Sequence, residues 1–117
     1  IAMFYDGDVH FDAVANKLRD EENTYMISTI SLAETLTHAS GKGSRQIELI
    51  VSRIQGAMTE IVEVDQEIAI EAAKIREKTK VKIPDAIISA TATLAGAELW
   101  TLDQRLAKAH KGAVLIA

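Results

Sequence analysis

The sequence contains no cysteine, which excludes disulfides and thiolate metal sites alike. A metal bound by this chain must therefore take oxygen or imidazole donors. Imidazole is scarce, since only His10, His38 and His110 are present, and they show no ligand spacing and read as surface residues. No apolar run approaches the roughly 18 residues that signal a membrane-spanning helix. No signal-peptide pattern opens the chain either, so the expected compartment is the cytoplasm with no membrane association. Tight hairpin signals such as Asn-Gly are missing. So is an initiator methionine: the chain begins Ile1-Ala-Met-Phe-Tyr5, as expected of an N-terminally incomplete sequence.

Charge of either sign is unremarkable. With 17 acidic and 13 basic residues the net charge is −4, which argues against gripping nucleic acid by bulk charge, because that requires clustered Lys and Arg to displace counterions. An enzyme whose bound metal supplies the positive charge is not excluded. The 117 residues, 48% of them hydrophobic, suffice for a core without staples and are expected to form a single domain, 1–117.

Apolar periodicity places the elements. Phe11, Val14, Ala15 and Leu18 give one helical face between His10 and Arg19, followed by a polar turn at Asp20 to Asn23. Tyr25 to Ile30 reads as a buried strand, Ser31 to Ala39 as a helix, and Ser44 to Ile54 as a second helix with Ile47, Ile50, Val51 and Ile54 on one side. Glu60 to Val64 reads as a strand. Asp65 is placed to cap a helix over Gln66 to Thr79, whose stripe is Ile68, Ala72 and Ile75. After a basic loop containing Lys78, Lys80 and Lys82, Pro84 opens a helix that is apolar nearly all round, a position where its missing N–H needs no partner. Gly96 stops it. Leu99 to Leu102 is a strand, Gln104 to His110 a short helix and Ala113 to Ile116 a last strand. Strands alternating with helices predict an α/β fold, with helices on both faces of a central parallel sheet.

Three acids stand at strand-to-helix junctions: Glu34 one turn into a helix, Asp85 at the opening of the apolar helix, and Asp103 just after a strand. Ligands of open parallel sheets bind beyond the carboxyl ends of the strands, and oxygen-rich clusters suit magnesium or manganese. Each acid also has a plainer reading. Ser31-Leu-Ala-Glu34 matches a capping box, Asp85 complements a helix dipole, and Asp103 suits an N-cap. Their conjunction is more informative: Glu34 and Asp85 have apolar neighbours, so partly buried carboxylates are expected, and these need a compensating partner. No arginine cluster matches them, which leaves a bound cation.

At Ile27-Ser-Thr-Ile-Ser-Leu-Ala-Glu34, Lys82-Ile-Pro-Asp-Ala-Ile-Ile88 and Leu99-Trp-Thr-Leu-Asp103 the sequence resembles the PIN-domain nucleases, and among them the VapC-type toxins of toxin–antitoxin pairs. The resemblance covers nearly the whole chain. Its most specific motif is the proline–aspartate pair followed by an apolar helix, whereas Thr-x-Asp alone would be weak. It implies a three-layer α/β/α fold and assigns Glu34, Asp85 and Asp103 as catalytic, metal-holding acids, with Thr101 in support. It implies a fourth acid at the end of an opening strand, which would fall about five residues before Ile1, since Asp6 and Asp8 lie in what reads as a loop.

The implied activity is that of a ribonuclease holding one or two magnesium or manganese ions. It would cut single-stranded RNA to leave a 5′-phosphate and a 3′-hydroxyl. The implied partners are RNA, an antitoxin protein and a second copy in a homodimer. Lys78, Lys80 and Lys82 either contact the RNA backbone or form a solvated loop, and Trp100 either stacks on a base or belongs to the core. A different class of function is a catalytically silent PIN-like interaction module, for which Ile47, Leu49, Ile50 and Val51 exceed one clean stripe. A phosphoacceptor receiver domain fits less well, because it expects a lysine after a late strand, where Thr101-Leu-Asp103 ends in an acid.

Overall fold

Buried isoleucines organise the first described elements. The computed structural model describes residues 24–101 and 103–115, apart from the side chains of His38 and Ala39. The expected helix at His10 to Arg19 and the Asp6–Asp8 loop lie outside the described residues. Strand β1 (Met26–Ser28) leads into helix α1 (Thr29–Ser40), then α2 (Ser44–Ala57) and β2 (Glu60–Val62). β1 and β2 pair in parallel with Ile27 opposite Ile61. Ile27, Ile50 and Ile54 form a core against which Leu32, Leu36 and Ile47 pack. The expected α2 stripe is thus present, with Ile50 and Ile54 buried, Ile47 and Val51 half-buried, and Leu49 outside it at 44% exposure.

The chain divides between Val62 and Glu63 into two compact units. The second contains α3 (Gln66–Thr79), α4 (Ile83–Ala95), β3 (Trp100–Thr101), α5 (Gln104–Ala109) and β4 (Val114–Leu115), with β3 and β4 parallel. Each parallel pair is joined through helices, as the α/β class requires.

Helix α3 starts where its sequence says it should. Asp65 accepts a hydrogen bond from Ile68 N at 2.8 Å, satisfying one of the first-turn amides left without a helical partner. Asp65→Ala is expected to cost about 1 kcal/mol of stability, read as a lower urea midpoint at unchanged slope; no change would mean the cap contributes nothing. At the other end Lys80 adopts the left-handed conformation (φ 64°) and its N–H bonds Arg76 O at 2.9 Å. Arg76 Nη1 in turn donates to Lys80 O at 3.0 Å and to Val81 O at 2.5 Å, tying the short link that precedes α4.

α3 and α4 pack together, and the residues that α4 buries are small: Ala86, Ser89, Ala90, Thr91 and Ala92. The helix is apolar nearly all round in sequence, yet it buries only part of that surface. Small side chains let two helices approach closely, so they take the buried face, and Ile83 is left 52% exposed. Gly96, in the left-handed region (φ 64°), ends α4 with its N–H on Thr93 O at 3.2 Å. Ala92, Leu99 and Leu106 form a second core with Ile88 and Ala113.

Candidate active site

Asp85 lies in the first turn of α4, where Pro84 fixes the backbone and Lys82 is the N-cap residue without a side-chain capping bond. The carboxylate is half-buried. Burial, and then the charge of Asp103, raise its pKa above the ordinary aspartate range, with Lys82 acting in the opposite sense. Asp85 and Asp103 are therefore within electrostatic reach of each other.

Asp103 is exposed and caps α5. Its Oδ1 accepts from Arg105 N at 2.8 Å and from Leu106 N at 3.3 Å. Its own N–H donates to Thr101 Oγ1 at 3.0 Å, so Thr101 braces the turn that presents the acid. The plain capping role is real, and because both bonds go to Oδ1 it engages one carboxylate oxygen. Capping and ligand binding are compatible at this residue.

Glu34 departs from expectation in two ways. Helix α1 begins at Thr29, not Ser31, and Ser28 Oγ accepts from Ile30 N at 3.2 Å. Ser31 is consequently inside the helix and buried, its carbonyl accepting from Thr35 Oγ1 at 2.8 Å. The Ser31–Glu34 capping box does not form, and the Glu34 carboxylate is exposed instead of partly buried. Among the described residues, no group of three or more His, Asp and Glu side chains is gathered to hold a metal ion.

The Asp85–Asp103 pair nonetheless suits a cation. Two like charges repel, and Asp85 in particular is held in a setting that disfavours its ionised form. A hard divalent ion with oxygen ligands removes both penalties. The upward shift also has a sign in folding. A folded-state pKa above the unfolded one means the folded chain holds the proton longer. Stability then falls as pH rises from the ordinary aspartate range through the raised value, and stays lower above it. In chelator at neutral pH, Asp85→Asn is expected to be at least as stable as the parent chain, with the difference vanishing at acid pH. Urea melts at the two pH values check this, and a clearly less stable variant at pH 7 would contradict it.

One polar pair escaped the sequence reading. Ser89 Oγ and His110 Nδ1 are 2.6 Å apart, with Ser89 only 4% exposed. His110 is half-buried and not the surface residue expected. The available signals were Ser89 standing one turn after Asp85, and His110 at the end of the helix that Asp103 opens.

A family model for the PIN domain matches residues 1–112. Among solved structures, the chain is similar to a toxin–antitoxin complex from Klebsiella pneumoniae, with 28% sequence identity, a TM-score of 0.73, and coverage of 88% of this chain and 82% of that one. No curated protein matches the chain. The family match spans nearly the whole sequence and the α/β elements agree with it: this chain belongs to the PIN-domain family.

Proposed function

We propose that the chain is a divalent-metal-dependent endoribonuclease that hydrolyses RNA phosphodiester bonds as the toxin of a toxin–antitoxin pair. PIN domains are generally nucleases and generally use divalent metal ions. The toxin–antitoxin complex among its structural neighbours supports the biological setting. The observation that carries the chemistry is the Asp85–Asp103 pair, two carboxylates near enough for one to raise the other's pKa.

Asp85 and Asp103 would hold magnesium or manganese, with Glu34 as the third acid; its exposed carboxylate is not engaged in a capping box. When bound, such an ion supplies positive charge at the phosphodiester and makes water a better nucleophile at neutral pH. The chain's own residues orient the acids. Pro84 and the α4 backbone set Asp85, while Thr101 and the α5 amides hold Asp103 with one oxygen committed. Lys82, close enough to lower the Asp85 pKa, would meet the substrate's negative charge. A homodimer or antitoxin contact draws support from Leu49, exposed on α2, and the proposed setting is the cytoplasm.

The test incubates single-stranded RNA with the chain in magnesium, in manganese and in EDTA. Cleavage with either ion, lost in EDTA, supports the reading, and products should carry 5′-phosphate and 3′-hydroxyl ends. A protein that neither cleaves RNA nor gains thermal stability from either metal would be a silent interaction module instead.

A further inference from the structure

The net charge of −4 is carried entirely by residues 1–62, since acidic and basic side chains balance from Glu63 to Ala117. Within that balanced stretch the charges are not evenly spread. An open cleft of about 220 Å³ is bordered by Lys78 and Lys111, with Glu71 as its acid, and also by Ser89, Thr93 and His110. The buried Ser89 hydroxyl makes its hydrogen bond to His110 Nδ1. The cleft thus offers two ammonium groups against one carboxylate, the donor excess that an anion with several oxygens requires.

Its position gives that anion an identity. Ser89 follows Asp85 by four residues of α4, about 6 Å of helix rise, and His110 closes the six-residue α5 that Asp103 caps, about 9 Å long. The same two helices connect the acid pair to the Ser89–His110 pair. A polyanionic strand whose phosphodiester lies at Asp85 and Asp103 has a neighbouring phosphate within that distance.

We propose that the cleft between α3, α4 and the end of α5 is a phosphate subsite, which holds the RNA backbone beside the bond that is cut. The inference rests on the ribonuclease reading for its ligand, and its test does not depend on cleavage. The measurement is equilibrium binding of a fluorescein-labelled single-stranded RNA to the full chain in EDTA, over a range of salt concentrations. The double variant Lys78→Gln/Lys111→Gln is expected to bind about tenfold more weakly and to lose about 0.7 from the slope of log affinity against log salt, one single-strand phosphate contact. Glu71→Gln is expected to bind severalfold more tightly, a gain that misfolding cannot produce. Unchanged affinity and slope in both, or no RNA binding by the parent chain, would overturn the subsite. An RNA-binding chain with this lysine dependence that never cuts RNA in magnesium would overturn the nuclease reading and leave the cleft standing.

Discussion

Replacing Asp85 with asparagine is expected to slow RNA cleavage by about 100-fold or more, with the fold intact. The substitution preserves the side chain's volume in its half-buried site at the start of α4, so what it removes is charge. A metal ion contributes several kilocalories of transition-state charge stabilisation, and each ~1.4 kcal/mol corresponds to tenfold in rate. If Asp85 is one of the carboxylates that hold the ion, weakening that hold forfeits a large part of that stabilisation. Single-turnover cleavage at saturating magnesium is the suitable measurement, with urea melts in EDTA beside it. A variant that cuts within about twofold of the parent would remove Asp85 from the reaction. The signature of a functional acid is the combination of lost cleavage and undiminished stability, because a purely structural aspartate would lose both or neither.

The largest stability effect is expected at Ile54→Ala. Ile54 is fully buried on α2 and clusters with Ile27 of β1 and with Ile50. Truncation removes three methyl or methylene carbons and leaves a cavity that a helix and strand fixed by other contacts close only in part. The cost is expected to be about 3 kcal/mol, within the 2–5 found for such truncations. Leu49→Ala on the same helix, at an exposed position, is expected within about 0.5 kcal/mol of the parent. Chemical denaturation of the two variants gives the contrast directly. Equal costs would mean that the α2 face is assigned wrongly.

Helix α3 was legible to the residue, because an N-cap aspartate, an uninterrupted apolar stripe and a run of good helix formers all agree there. The junction of β1 and α1 was not. Thr29 and Ile30 are β-branched and extend a strand pattern, yet tertiary packing begins the helix at Thr29 and leaves Ser28, not Ser31, to receive the first-turn amide. Since the sequence offers both serines, local propensity could not choose between them, and the misreading carried over to Glu34. At the candidate site, Pro84-Asp85 and Thr101-Leu-Asp103 could be read because their roles arise within one turn of chain. The Ser89–His110 bond joins residues 21 apart, and no local pattern encodes such a pair.

The Arg76 clamp bears on the timing of disorder. Three residues, Lys80 to Lys82, separate α3 from the helix that starts with Ile83-Pro84-Asp85, and the guanidinium spans two of their carbonyls. A backbone residue loses about 1–2 kcal/mol of conformational entropy when it is fixed. For this link that loss falls in the folding reaction, before any ligand arrives. A cation or an RNA strand reaching Asp85 would then meet a carboxylate already in position, and none of its binding energy would go into ordering the peptide that carries it.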